Sequence, residues 1–180
     1  TLTANLYLTK FSRLIRLFLD SSRSKFIPLS EEINLLTLYI ELERIRFDNK
    51  FEFEILFEGH VNKNIEIPTM ILQPFIENAI EHGQLHTVQG GKISVDIYAQ
   101  DAQLYIQIQD NGVGRKKSAD TKKIKAHKSM AIDITRERIA ILNKKYKFNG
   151  SLTFKDLDDE KEQGTLVVIV LPLKYDTENF

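Results

Sequence analysis

No cysteine occurs among the 180 residues, which excludes a disulfide framework and a thiolate metal site and suits a cytoplasmic setting. Net charge is also missing. The 25 basic residues are balanced by 25 acidic ones, so no general electrostatic case exists for nucleic acid or an anionic membrane surface as a partner. Long apolar runs are absent as well: the longest, residues 166–171 (LVVIVL), is far too short to cross a bilayer. No signal peptide opens the chain, and any membrane segment is expected outside it. Internal repeats and low-complexity tracts are lacking. What is present is ordinary for a globular chain, with 28% charged and 42% hydrophobic residues and a length that suits one domain with an appendage.

One stretch is chemically specific. Residues 67–83, IPTMILQPFIENAIEHG, carry Ile71, Leu72, Phe75, Ile76, Ala79 and Ile80 at three- and four-residue spacing. That pattern predicts an amphipathic helix with one buried stripe. Thr69 can cap its start and Gly83 can end it. Pro74 is tolerated only in the first turn or so, which puts the start near Met70. Away from the stripe lie Glu77, Asn78, Glu81 and His82, with Asn78 one turn below His82. A carboxamide oxygen is a hard, neutral ligand that can hold a hydrated Mg²⁺ carrying a polyphosphate. A solvated helix face accounts for the same residues equally well.

A second stretch shifts the balance. Residues 104–109 (LYIQIQ) alternate like a half-buried strand and run into Asp110-Asn111-Gly112-Val113-Gly114. Asn-Gly after a strand is a hairpin signal, yet no strand follows. Residues 115–123 form a polar, basic segment suited to a loop over an anionic ligand. A carboxylate at a strand end can accept from an exocyclic amine such as that of adenine, and Gly112 and Gly114 let backbone approach a ligand. Together the two stretches predict a nucleotide pocket.

Asn78-Ala79-Ile80-Glu81-His82-Gly83 resembles the N box, and Asp110-Asn111-Gly112-Val113-Gly114 the first glycine box, of the GHKL superfamily of ATP-binding domains. Within it, residues 67–83 and residues 40–47 (IELERIRF) resemble the LytS-type sensor histidine kinases. Order and spacing agree over nearly the whole chain.

The rest of the chain fits one architecture. Residues 2–24 place Phe11, Leu14, Ile15 and Phe18 on one helical face. A second helix is expected to begin with Ser30 as N-cap, Glu31 and Glu32 favouring the positive end of its dipole, and to run to Phe47. Its broad apolar arc suits two neighbours, hence a helical hairpin that also meets a partner chain; packing on the sheet of its own chain is the alternative. Phe51, Phe53, Ile55 and Phe57 mark a strand, residues 65–68 a short one, and Ile93, Val95 and Ile97 another, followed by a turn at residues 101–103. Residues 130–147 are helical in character, with Ile134 and Ile141 two turns apart and Ile139 and Leu142 beside them. Residues 152–155 and 165–171 close the chain as strands around an acidic loop at 156–163. Five or so strands and two or three helices imply an α+β fold. By the resemblance it is an α/β sandwich of the GHKL type, a mixed sheet covered by helices on one face. The helical hairpin (residues 1–48), part of a dimerisation region, precedes the ATP-binding domain (residues 49–180).

The resemblance assigns roles. Asn78 would ligate the Mg²⁺ of ATP, Asp110 would bind the adenine amino group, and Gly112 and Gly114 would shape the pocket wall. Thr165, after Gly164, would support the adenine pocket. His82 would contact phosphate, and Glu77 could orient water or the metal. The chain departs from the family where Gly-x-Gly-Leu is usual: here the run is Ser129-Met130-Ala131-Ile132, and a Cβ at Ala131 costs stability if the closed lid needs a positive φ there. Glu81 stands where many members carry Lys, a loss that Lys122, Lys123, Lys125, His127 or Lys128 could compensate.

The family's phosphoacceptor His lies in an Asn-Pro-His-Phe motif, and none of His60, His82, His86 or His127 has that context. The expectation is therefore an ATP- and Mg²⁺-binding catalytic fragment of a two-component sensor histidine kinase. It would transfer the γ-phosphoryl group to a His outside the chain, with a response regulator as partner. The full-length protein is expected to be a homodimer anchored in the cytoplasmic membrane, with this domain in the cytoplasm. The alternatives are a non-catalytic nucleotide-sensing or dimerisation module and a GHKL ATPase. In the ATPase a Glu one turn before the Asn usually activates water, and Pro74 occupies that position.

Overall fold

Strict alternation of apolar residues builds the sheet first. The computed structural model describes residues 2–113, 122–147, 149–158 and 163–174. In it, β2 (Phe51–Glu58), β4 (Gly91–Gln100), β5 (Gln103–Asp110), β6 (Ser151–Asp158) and β7 (Gln163–Pro172) form one sheet in the order β2-β4-β5-β7-β6. β2 and β4 run parallel and the other pairs antiparallel, so the sheet is mixed. Ile93, Val95, Ile97, Leu104, Ile106, Ile108, Val167, Ile169 and Leu171 are buried, as a period of two requires of one covered face. Asp101 and Ala102, with φ of 51° and 61°, make the tight turn between β4 and β5, the left-handed geometry that matches strand twist.

Helices cover that face. α3 (Gln73–Glu77) runs on into a single π turn, Asn78–His82; the stripe expected from spacing is buried, Ile71 and Leu72 ahead of the helix and Phe75, Ile76, Ala79 and Ile80 along it. Its start differs from expectation. Gln73 opens the helix with Pro74 in its first turn, while Thr69 caps nothing: its Oγ1 donates to Ser24 O at 2.7 Å, and Met70 has a φ of 56°. α4 (Lys122–Tyr146) buries Ile132, Thr135, Ile139, Leu142 and Tyr146. Ile134 and Ile141 are 57% and 63% exposed, so the pair two turns apart that marked this helix lies outside the core. Ile132 and Ile139 show the same spacing one face over, and periodicity alone does not choose between them.

α1 (Leu2–Ser21) and α2 (Leu29–Arg46) pack as a hairpin. α2 divides its arc between two neighbours in its own chain. Leu35, Leu38 and Leu42 join Leu14 and Ile27, whereas Leu29, Leu36 and Ile40 enter the main core. α1 is covered less than its stripe suggests, leaving Leu8, Phe11, Ile15 and Leu19 exposed. Ser30 is not the N-cap of α2: the helix opens at Leu29 after Pro28, and Leu29 N and Ser30 N donate to Ile65 O (2.8 Å) and Lys63 O (2.9 Å). The residues before it form β1 (Phe26–Pro28), paired antiparallel with β3 (Glu66–Pro68) in a two-stranded ribbon. No helix among the described residues is long and apolar enough to cross a membrane.

Candidate functional site

The end of β5 turns back over the end of the Asn78 segment. Asp110, the last residue of β5, is buried at 6% exposure, and its Oδ1 accepts a hydrogen bond from Gly112 N at 2.9 Å. That short turn lays Gly112 on Gly83. A Cβ on Gly112 would stand 2.5 Å from Gly83 O, closer than side-chain atoms approach, and Val113 N donates to Gly83 O at 3.0 Å. β7 supplies a third wall. Thr165 pairs in register with Asp110, and Gly164, at a φ of 132°, fits only because its missing Cβ would lie against Asp110 O. Asp110, Gly112 and Thr165 are thus brought together.

Asn78 opens the π turn, and its carbonyl accepts from Gly83 N at 3.0 Å. Its side chain carries the informative feature: Nδ2 is buried and has no hydrogen-bond partner. A buried amide left unpaired costs about 1–3 kcal/mol, so it calls for a reason. Beside it, Glu77 Oε1 accepts from Gln73 Nε2 at 2.8 Å, which fixes that carboxylate along the helix.

Other expected site residues stand differently. The backbone of His82 closes the π turn, but its side chain lies outside the described residues, as does all of Gly114. Ser129 and Ala131 sit inside α4 instead of in a loop ahead of a helix, so the positive φ considered for Ala131 does not occur in this conformation. Lys122, Lys123, Lys125, His127 and Lys128, expected on a lid loop, belong to the first turns of the same helix, and residues 114–121 lie outside the described residues.

Three residues brace the site in roles that the sequence did not suggest, Glu32 having been read only as a charge favouring the helix dipole and Asn111 only as part of the Asp110 turn. Glu32, 2% exposed, receives Met70 N on Oε2 at 2.7 Å and Leu72 N on Oε1 at 3.0 Å. Burial raises its pKa, opposed by those backbone donors and by Arg138. Arg138, whose pKa burial lowers against the pull of Glu32, donates from Nη1 to Thr69 O and from Nη2 to Lys25 O at 3.3 Å. A carboxylate and a guanidinium therefore hold the loop that leads into α3. A signal for Glu32 existed, because it occupies the same three-to-four spacing as the buried Leu29 and Leu36. The third residue, Asn111, clips β5 to β4: Lys92 N donates to its Oδ1 at 2.6 Å, and its Nδ2 donates to Gly90 O at 2.8 Å.

Comparison with known proteins agrees with this geometry. The family described as histidine kinase-, DNA gyrase B-, and HSP90-like ATPase matches residues 64–175, and one described as histidine kinase matches residues 2–51. Sensor protein LytS of Bacillus subtilis (strain 168) is 36% identical over 107 residues, covering 59% of this chain and 18% of the relative. Sensor protein LytS of Bacillus cereus (strain ATCC 14579) is 25% identical over 178 residues, covering 95% of this chain and 29% of the relative. The chain thus spans less than a third of the length of these relatives. Among solved structures, the nucleotide-free catalytic domain of histidine kinase ThkA superposes with a TM-score of 0.54 at 16% identity, covering 84% of this chain and 97% of that domain. At that identity the likeness is one of fold.

Proposed function

The chain belongs to the family of histidine kinase-, DNA gyrase B-, and HSP90-like ATPases, and from that premise we propose that it binds Mg·ATP. We further propose that it serves the catalytic step of a sensor histidine kinase, with a response regulator downstream. The observation that carries the reading is the buried, unpartnered Nδ2 of Asn78, a donor that a ligand's acceptor oxygen would satisfy, one residue past Glu77 and one turn before a glycine on which the Asp110 turn rests. The residues present fit the group. Asn78 offers a hard, neutral ligand in its Oδ1 and Asp110 a buried carboxylate able to accept from adenine, while Gly112 and Gly164 let backbone close on Gly83 and Asp110 and so hold that carboxylate beside the Asn78 segment. Among the described residues no three His, Asp or Glu side chains form a metal cage.

Bound Mg²⁺ would neutralise charge on the phosphates. The chain's own residues would do the rest: Asp110 and Thr165 would fix the base, Asn78 would fix the metal end, Glu77 would orient water or the metal, and His82 would contact phosphate. Phosphoryl transfer needs positioning and charge stabilisation more than covalent help, which a site of this composition can supply. The acceptor would be a histidine that this sequence does not contain. Exposed Leu8, Phe11, Ile15 and Leu19 on α1 support a homodimer in the full-length protein, and the absence of an apolar spanning helix among the described residues leaves any membrane anchor to other segments.

Calorimetric titration separates the roles. Asn78→Ala is expected to weaken Mg·ATP much more than adenosine, whereas Asp110→Ala weakens both by about 1–3 kcal/mol, the scale of a buried partner lost. No saturable heat from a non-hydrolysable ATP analogue at millimolar concentration would refute the reading. A chain that binds ATP yet never labels a supplied acceptor segment would be a nucleotide-sensing module.

A further inference from the structure

The last turn of α2 lies against the polar side of the Asn78 segment. Arg46 brings Nη2 to 3.3 Å from Glu81 Oε1 and 2.9 Å from Glu43 Oε2. Its guanidinium sits 4.4 Å from the centroid of Phe47, and Phe47 stacks on His86 at 4.2 Å with 9° between the rings. α2, the π turn and the loop after Gly83 therefore all help to place one cation. It is nevertheless incompletely engaged. Glu43 Oε2 is close to Arg46 but buried without a hydrogen bond, so that contact is Coulombic, and the Arg46 side chain keeps 44% of its surface exposed.

Around Arg46 the charge is negative. After burial, Glu43, Glu77 and Glu81 push the Tyr39 hydroxyl pKa upward, and Glu81 and Glu77 push that of Glu43 upward. Arg46 pulls both back. A polyphosphate approaching Asn78 meets Glu77 and Glu81 on the same segment, and like charges repel it unless a cation intervenes.

We propose that Arg46 is the phosphate-binding cation of this site, held in waiting by Glu81 and exchanging that carboxylate for terminal phosphate oxygens when nucleotide binds. This rests on the nucleotide reading above. Guanidinium suits the exchange because its planar fork binds carboxylate and phosphate with the same geometry. The cation is carried by the hairpin and not by the sheet domain. α2 is the helix that α1 packs on through Leu35, Leu38 and Leu42, so a shift of the hairpin would move the charge at the phosphates.

The test is titration of the 180-residue chain with Mg·ATP, Mg·ADP, AMP and adenosine. In the wild type, affinity should climb with each added phosphate. Arg46→Ala should weaken Mg·ATP at least tenfold while leaving adenosine within twofold, a phosphate dependence that a merely structural role would not produce. Adding Glu81→Lys to Arg46→Ala should restore Mg·ATP binding to within about threefold of wild type. Glu81→Gln alone, which frees Arg46 without adding a cation, should strengthen Mg·ATP but not adenosine, and Arg46→Lys, which keeps the charge and loses the fork, should weaken Mg·ATP about threefold or more with adenosine unchanged. Unchanged Mg·ATP affinity in both variants would overturn the assignment should Arg46→Ala fail to fold. Equal losses for all four ligands, or an undiminished phosphate gain in Arg46→Ala, would overturn the assignment while leaving the nucleotide reading intact. A wild-type chain that binds no adenine ligand would remove both.

Discussion

At its entrance, the segment of residues 69–83 is closed by the chain's own side chains; at its exit it is left open. Glu32 takes the amides of Met70 and Leu72, Thr69 bonds Ser24 O, and Arg138 caps Thr69 O. A left-handed Met70 is affordable there because every neighbour is tied down. Past Asn78, the amide nitrogen has no partner and two glycine backbones stand at a distance that no side chain could share. The contrast separates two kinds of polar residue, those that the fold consumes and those that it reserves.

Breaking the closed end should show the largest effect. Glu32→Ala removes the acceptor of the Met70 and Leu72 amides and the charge that acts on Arg138, and we expect a loss of about 2–5 kcal/mol in urea unfolding, on the scale of about 1–3 kcal/mol for each donor left unpaired. A loss below about 1 kcal/mol would mean that the entrance does not hold the segment. Gly164→Ala comes next. Its Cβ would stand 1.9 Å from Asp110 O, so overpacking should cost about 1–3 kcal/mol or more, with adenosine binding lost in the same variant.

Asn78→Leu sharpens the comparison from the open side. If the amide is reserved and not consumed, a similar-sized apolar side chain should leave stability unchanged or raise it by about 1 kcal/mol, while Mg·ATP binding disappears. Destabilisation of the kind expected for Glu32→Ala would place both residues in one class. The smallest effect concerns pH. Because burial raises the Glu32 pKa above its ordinary 4.5, the folded chain holds a proton that the unfolded chain has released. The stability that this supplies is full below pH 4.5 and declines as pH rises through the raised folded value. Denaturation midpoints of wild type and Glu32→Gln, followed upward from pH 4.5, should differ in slope with that sign.

The open end was legible in the sequence and the closed end was not, for a physical reason. Asn78, Asp110 and Gly112 belong to short motifs whose residue types and order carry their meaning, Thr165 was pointed to by the family resemblance, and the strands around them follow a period of two that one covered face enforces. Glu32 acts on amides 38 and 40 positions away, and no local period encodes such a partner. The three-residue ribbon of β1 and β3 is too short to show alternation. In α4 the apolar residues populate two faces, so Ile134 and Ile141 carried the same signal as Ile132 and Ile139 until packing chose between them. Thr69 looked like a cap because its residue type suits caps, but a carboxylate from another helix already served the following amides.

The π turn at Asn78–His82 sets a rule about length that no substitution would reveal. Such a turn holds roughly one residue more than an α turn, so its exit is rotated relative to the helix that enters it. Deleting Glu81, whose side chain is more than half exposed, would restore a regular helix and lose little burial, yet Gly83 would swing by about 100° and no longer present its carbonyl to Val113. The stretch from Asn78 to Gly83 thus acts as a counted spacer. Its side chains are free to change where they are exposed, but a one-residue gap there would mark a chain whose two loops do not meet.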